Sequence, residues 1–210
     1  DGSIMAQSNR FSKVFSSGSA AFSAASKLYA SIPDVDAFAK ESGLIAKYTY
    51  KLKSAKENAK HLLSDEVEEI ISQLDMTGGA AWGRLQTYLT STLKVDYEGR
   101  TVTLSEIRNL AYSDDAAVRR SAYEAEIKAY EKIADSVAFA LNNNKMQVNT
   151  LCEKRGYESA LDMTLAQSDM KKETLDAMLT AIKEYLPVFR KYLRKKGELL
   201  GHKNGLPWYD

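Results

Sequence analysis

The stretch that decides the fold spans residues 114–155 and reads DDAAVRRSAYEAEIKAYEKIADSVAFALNNNKMQVNTLCEKR. Its apolar residues recur mostly every three or four positions, which is the spacing of one face of an α-helix. Ser113 with Asp114 and Asp115 supplies an N-cap and an acidic start, and Gly156 can take the left-handed conformation that ends a helix. We therefore predict one helix over 114–155, on the order of 60 Å long at about 1.5 Å per residue. The predicted face consists of Val118, Ala122, Ala125, Ala129, Ile133, Val137, Leu141, Val148 and Cys152.

The rest of the chain carries the same helical pattern with one exception. Apolar residues at helical spacing predict helices before and after the long run, among them 36–63, 65–74 and a last one ending near Gly201. Between Lys94 and Val102, alternating residues around Glu98-Gly99-Arg100 predict a small β-hairpin. Thr103 and Glu106 then have the spacing of a capping box. The sequence predicts an all-α, multi-helix fold with one hairpin near 94–102, preceded by a polar tail or cloning remnant at 1–10.

Composition and charge are those of an ordinary globular protein. The 210 residues include 29 basic and 28 acidic side chains, for a net charge of +1. Such a balance gives no global attraction to nucleic acid or to a membrane, so neither is an expected partner. The single cysteine, Cys152, excludes a disulfide within the chain and is predicted to be a buried, inert thiol. A cytoplasmic location fits this cysteine usage.

No motif in the sequence carries catalytic chemistry of its own. The only histidines are His61 and His202, and neither belongs to an HExxH zinc motif. Glu57 and His61 lie one helical turn apart, which predicts a surface ion pair better than a metal site. A nucleophile elbow and a glycine-rich phosphate loop are also missing. The sequence therefore predicts no catalytic residue and no metal ligand in this chain.

One cluster of basic residues stands out near the end of the chain. Its members are Arg190, Lys191, Arg194, Lys195, Lys196 and Lys203. Such a cluster could bind an anionic ligand or RNA, but aromatic residues interleave with it only at Tyr192. A solvated helix face is the favoured interpretation, with anion binding left as the alternative.

Several short segments together resemble the N-terminal part of oligoendopeptidase F, a zinc-dependent peptidase of the thimet oligopeptidase type. Each segment is weakly specific, but their order and spacing hold from about residue 64 to 210; residues 11–63 match only in helical character. The segments are GAAWGRL at 79–85, Asp114-Asp115 with Arg119, Ala140-Leu141-Asn142, RGYES at 155–159 with Leu161-Asp162, LLG at 199–201 and LPWYD at 206–210.

The resemblance implies a mostly helical fold that encloses a groove for short peptides. In that family, zinc is held by an HExxH helix and a further glutamate, and the metal activates a water molecule. All of these residues belong to the C-terminal half, beyond Asp210. The resemblance therefore implies an N-terminal helical lobe at 11–167 and the start of a catalytic lobe at 168–210. Zinc is expected in the complete protein and not in this chain, which alone is expected to be inactive.

Because the resemblance assigns catalysis to the C-terminal half, the residues of this chain are expected to help enclose the peptide groove. From position alone, Asn142, Tyr157, Trp208 and Tyr209 are candidates for lining the peptide groove. The expected partners are the C-terminal catalytic half and, for the complete protein, short peptides. The alternative is a freestanding helical interaction module without enzymatic activity. Such a module should bury Trp208 and Tyr209, whereas the N-terminal part of a larger protein should expose an apolar edge at 206–210.

Overall fold

A computed structural model describes residues 2–210, apart from the side chains at 2, 5, 12, 15–17, 19 and 20. Helices dominate this part of the chain, with one two-stranded antiparallel hairpin, as predicted. The chain divides into two compact units, each built from two separate stretches of sequence. Unit 1 comprises residues 1–82 and 143–170, and unit 2 comprises residues 83–142 and 171–210. Within the described residues, no helix combines the length and apolar character needed to cross a membrane.

Unit 1 is made of short helices where the sequence predicted longer ones. They are α1 (Gly2–Ser17), α2 (Ser19–Ala30), α3 (Val35–Lys40), α4 (Gly43–Ala46), α5 (Thr49–Asn58), a 3₁₀ turn (Ala59–His61) and α6 (Asp65–Asp75). The predicted helix over 36–63 is wrong as a single element, because Ser42 leaves the helical conformation and its hydroxyl caps α4 at Leu44. Ser64 caps α6 as predicted. Of the predicted tail, Asp1 lies outside the described residues and 2–10 belong to α1.

The boundary between the two units falls inside two helices, α7 (Gly79–Thr92) and α10 (Ala134–Lys154). Unit 1 is completed by α11 (Ala160–Gln167). The remaining elements of unit 2 are β1 (Lys94–Tyr97), β2 (Arg100–Thr103), α8 (Leu104–Asn109), a 3₁₀ turn (Leu110–Tyr112), α9 (Ala116–Tyr130) and α12 (Lys172–Leu199).

The predicted 42-residue helix is wrong as one element, because α9 and α10 are separated by a turn at residues 131–133. There the N–H groups of Lys132 and Ile133 bond to the carbonyls three residues back, which tightens the helix into a turn. The Lys132 ammonium holds the turn against β1, donating to the Lys94 carbonyl at 3.0 Å and to Asp96 Oδ2 at 2.9 Å. Apolar periodicity continues across the turn, so it could not reveal the break.

The hairpin organises the core of unit 2. Glu98 and Gly99 both have positive φ, 49° and 75°, as a two-residue turn matching strand twist requires. Val95 and Tyr97 alternate with exposed residues along β1 and face inward. The predicted capping box at Thr103 and Glu106 starts α8. The core cluster contains Leu93, Val95, Tyr97, Val102, Leu104, Ile107, Ala122 and Ala129.

This packing predicts that Ile107→Ala destabilises the protein. Ile107 is 2% exposed, and truncating a buried isoleucine to alanine costs about 2–5 kcal/mol through lost burial and a residual cavity. Ile127→Ala, on α9 of the same unit, is the matched control because Ile127 is 47% exposed. Its cost should stay below about 1 kcal/mol. Urea denaturation measures the free energy of unfolding of both variants. Equal losses for Ile107→Ala and Ile127→Ala would contradict the placement of the core.

Candidate functional site

Unit 1 contains a cavity of about 450 Å³, here called the His61 cavity. It lies among the 3₁₀ turn before α6, the start of α7, the second half of α10 and α11. Its lining combines apolar residues, among them Leu62, Val148, Leu151 and Met163, with the polar residues Asn58, His61, Asp75, Asn144, Gln147, Arg155, Tyr157 and Gln167. Amide, imidazole and phenol groups of this kind suit a small polar ligand bound by hydrogen bonds.

A partly buried ion pair holds one wall of the His61 cavity. Arg155 donates from Nη1 and Nη2 to the two carboxylate oxygens of Glu68, each at 2.7 Å, in a two-pronged arrangement. The side chains are only 18% and 12% exposed. Arg155 Nη1 also donates to the His61 carbonyl at 3.2 Å, and Glu68 Oε1 accepts the Leu63 N–H at 2.9 Å. The pair therefore fastens the end of α10 to α6, and the contacts with His61 and Leu63 tie in the segment before α6.

Opposing effects set the charge state of Glu68. Burial by itself raises the pKa of this carboxyl, whereas the hydrogen bonds from Arg155 and from the Leu63 N–H, with the guanidinium charge, lower it. The net pKa lies below the ordinary value, so Glu68 is ionised at neutral pH. The contribution of a lowered pKa to stability is present above the unfolded-state value and is lost as pH falls through the folded-state value.

Tyr157 is placed by the end of α10. Gly156 has φ 70°, and the N–H groups of Gly156 and Tyr157 bond to the Glu153 and Cys152 carbonyls, which is the Schellman arrangement. The Tyr157 ring stacks on His61 with 3.7 Å between centroids. Burial raises the pKa of the Tyr157 phenol, which stays protonated at neutral pH.

His61 differs from its sequence prediction. The predicted ion pair with Glu57 is wrong, because Glu57 accepts from Lys60 and His61 points to Arg155. His61 Nδ1 lies 2.9 Å from the Arg155 carbonyl oxygen. A carbonyl can only accept, so Nδ1 carries the proton in this contact.

Gln147 was not identified from the sequence, although it fixes another wall of the cavity. Its Oε1 accepts the Gly79 N–H at 2.6 Å, and its Nε2 donates to Asp75 Oδ1 at 2.6 Å. The side chain of α10 thus satisfies a free N–H at the start of α7. An ideal Cβ on Gly78 would lie 2.4 Å from Gln147 Oε1, which explains the glycine there. A glutamine in mid-helix gives no sequence signal for such a contact.

Unit 2 contains a second charged cluster, here called the Asp210 cluster, formed by Arg119, Lys196, His202 and Asp210. The Asp210 carboxylate is 4% exposed and accepts from Arg119 Nη2, from Arg119 Nε at 3.2 Å and from His202 Nε2 at 2.6 Å. Lys196 donates to the main-chain oxygen of Asp210. The Arg119 hydrogen bonds and the contact with His202 hold the pKa of the Asp210 carboxyl below its ordinary value.

The four predicted groove-lining residues fall in different places. Asn142 is exposed and belongs to unit 2, whereas Tyr157 belongs to unit 1. Trp208 and Tyr209 line one depression of about 230 Å³ within unit 2, beside Arg119 and Tyr123. Trp208 is 87% exposed, and Tyr209 is partly buried with its ring 5.7 Å from that of Tyr123. The burial of Trp208 expected of a freestanding module is therefore not found.

The geometry of the described residues offers no metal centre. Across residues 2–210, no group of three or more histidine, cysteine, aspartate or glutamate side chains is placed to hold an ion. His202 is engaged with Asp210, and Cys152 is buried with Sγ 3.8 Å from the Tyr157 carbonyl. The buried thiol was predicted.

The fold of the chain is similar to part of several solved structures. Solved structures with similar folds include oligoendopeptidase-F from Enterococcus faecium, with a TM-score of 0.80, 22% identity and coverage of 100% of this chain and 43% of that chain. PZ peptidase A with inhibitor 2 is also similar, with a TM-score of 0.75, 18% identity and coverage of 100% and 36%.

Sequence comparison identifies the family. A protein-family model described as Oligopeptidase F matches residues 31–94. A second family model, described as Peptidase family M3, matches residues 109–210. The chain belongs to peptidase family M3, within the oligoendopeptidase F group. Among relatives, Group B oligopeptidase PepB of Streptococcus agalactiae is 25% identical over 207 residues, and oligopeptidase PepF of Bacillus subtilis is 22% identical over 157. The matches cover 96% and 71% of this chain.

The chain spans only part of these relatives. The match covers 33% of the length of the Streptococcus agalactiae protein and 23% of that of the Bacillus subtilis protein. The family resemblance inferred from ordered short segments is therefore confirmed. It also extends to residues 31–63, where the sequence suggested helical character alone.

The ion pair of Arg155 predicts a large loss of stability for Arg155→Met. The substitution leaves the Glu68 carboxylate buried without its partner, which costs on the order of 3 kcal/mol at pH 7. Lys53→Met is the matched control in unit 1, because its partner Asp36 is well exposed and such pairs contribute less than about 1 kcal/mol. Adding Glu68→Gln to Arg155→Met should restore part of the loss. Urea denaturation measures the free energy of unfolding of each variant. Similar losses for Arg155→Met and Lys53→Met would contradict the shielding of the Arg155–Glu68 pair.

The Asp210 cluster is predicted to make a pH-dependent contribution to the free energy of unfolding. The lowered pKa of Asp210 stabilises the fold above the unfolded-state carboxyl value, and this stabilisation is lost as pH falls through the folded-state value. Asp210→Asn should therefore destabilise the protein at pH 7, and its difference from the parent should shrink in acid. Asp176→Asn, at an exposed position on α12, should show no such trend. Thermal unfolding from pH 7 to pH 3 measures both.

Proposed function

We propose that this chain is the N-terminal part of a zinc-dependent endopeptidase that cleaves oligopeptides, and that it forms a wall or lid of the peptide groove. The support is the family membership together with the share of the relatives' length that the chain spans. The names of the relatives, oligopeptidases and oligoendopeptidases, favour short peptides as substrates of the complete protein. Its proposed setting is the cytoplasm, where a lone thiol stays reduced.

One observation carries the proposal, an exposed apolar face along α12. The face, here called the α12 stripe, consists of Met178, Ile182, Tyr185, Phe189 and Tyr192, whose spacing of three and four residues aligns them on one side. Each of these side chains is between 50% and 62% exposed. Five large apolar residues in one line on a 28-residue helix favour a surface that another part of the protein covers.

Zinc chemistry is assigned to the remainder of the complete protein. The described residues do not fit a zinc site, because neither histidine has two further ligands beside it. No catalytic step is therefore derived for this chain. Its contribution is enclosure: the His61 cavity and the Trp208 depression provide polar and aromatic surfaces within their own units that suit contact with peptides.

Substitutions in the α12 stripe test the proposal by complementation. The chain and the segment that follows it in its reading frame are produced as two polypeptides, and hydrolysis of a quenched fluorescent oligopeptide is measured with added zinc. Neither polypeptide should cleave alone, and the mixture should. Phe189→Asp should reduce the recovered activity at least tenfold at limiting concentrations, because a carboxylate would have to be desolvated in the contact.

Thr180→Asp is the matched control, since it places the same charge on the exposed opposite side of α12. It should leave recovered activity within about twofold. Both variants should keep the stability of the isolated chain within about 0.5 kcal/mol, because both positions are exposed there. Activity of the chain alone, or equal loss in both variants, would refute the proposal.

A further inference from the structure

A cationic pocket lies within unit 2, at the end of α12. It has a volume of about 340 Å³ and opens between the last turns of α12 and the loop that follows. Its basic lining residues are Arg190, Arg194, His202 and Lys203. Arg190 and Arg194 are one helical turn apart and share a face, while Lys203 comes from the loop.

The sequence builds this pocket with two glycines. Gly201 has φ 79°, and its N–H and that of His202 bond to the Glu198 and Gly197 carbonyls, which reverses the chain at the helix end. Gly197 is buried, and a Cβ there would lie 3.7 Å from the Leu206 nitrogen. The returning loop therefore packs directly on the helix backbone. Because of this close approach, Lys203 lies in the same pocket lining as Arg190 and Arg194.

The charges in the cationic pocket are not balanced within the chain. Arg190, Arg194 and Lys203 have no carboxylate partner among the described residues. The one acidic residue of the lining, Glu198, pairs with Lys195 at 3.2 Å. His202 is engaged with Asp210, so its imidazole is held in place beside the cations. Three cations thus face a small volume, and an anion placed there would relieve their mutual repulsion.

We propose that the cationic pocket binds a compact polyvalent oxyanion of the phosphate class. Arginine guanidinium groups present paired donors that match phosphate oxygens, and lysine adds a point charge. Two or more negative charges in one small group match three cations, whereas a single carboxylate leaves most of the positive charge uncompensated. The sequence favoured a solvated helix face for this region and left anion binding as the alternative; the pocket formed by the loop after α12 supports that alternative.

The test uses pyrophosphate as the probe and the full 210-residue chain, by isothermal titration calorimetry at low ionic strength. Pyrophosphate should bind with 1:1 stoichiometry and at least tenfold more tightly than acetate. Arg194→Ala should weaken binding at least fivefold, and adding Arg190→Ala should remove it. Both positions are exposed, so circular dichroism and urea denaturation should match the parent.

Lys191→Ala is the matched control, because Lys191 is an exposed cation on the same helix that lies outside the pocket lining. It should change affinity by less than twofold. Glu198→Gln should tighten binding severalfold by removing the only negative charge of the lining. Equal losses for Lys191→Ala and Arg194→Ala would overturn the proposal in favour of diffuse surface charge. Binding of several anions per chain, or no binding in any variant, would overturn it as well.

Discussion

The two-pronged ion pair between Arg155 and Glu68 is the contact on which unit 1 depends. Its partners are 87 residues apart in sequence, and residues 83–142 of unit 2 separate the two stretches of unit 1 in the chain. Both partners are charged and two parallel N–H···O bonds join them, so these hydrogen bonds are charge-assisted and directional. The same arginine aligns the His61 carbonyl, and its own carbonyl orients the imidazole. One residue at the end of α10 thereby sets the geometry of the cavity wall.

Unit 2 is held by a different combination of forces. Its core is apolar, built where the hairpin packs against α8 and α9, and its last residues are fixed by charge. Arg119 on α9 reaches Asp210 across 91 residues of sequence and fixes Tyr209 through its main-chain oxygen at 3.1 Å. The aromatic depression at Trp208 and Tyr209 therefore depends on an arginine located well before it in the chain. In each unit an arginine joins sequence-distant segments.

Local signals in the sequence predicted local structure well. The hairpin, the capping box at Thr103 and the Ser64 cap depend on contacts within a few residues, and all three are confirmed. The break between α9 and α10 was missed, because Lys132 holds it through contacts with Lys94 and Asp96, almost forty residues away. The cavity walls were missed for the same reason, since Gln147 and Arg155 act on partners more than sixty residues distant. Family resemblance supplied the class of protein, and it could not supply these contacts.

The interleaving of the two units has a consequence for synthesis on the ribosome. Glu68 emerges first, and all of residues 83–142 must follow before Arg155 becomes available to it. At about 5–20 residues per second, Glu68 on α6 spends several seconds without its counter-charge. Residues 83–142, the first stretch of unit 2, contain every residue of the hairpin core, so that core is complete in sequence once α9 has left the exit tunnel. All residues of the hairpin core are therefore synthesised before unit 1 receives its second stretch and, with it, the partner of Glu68.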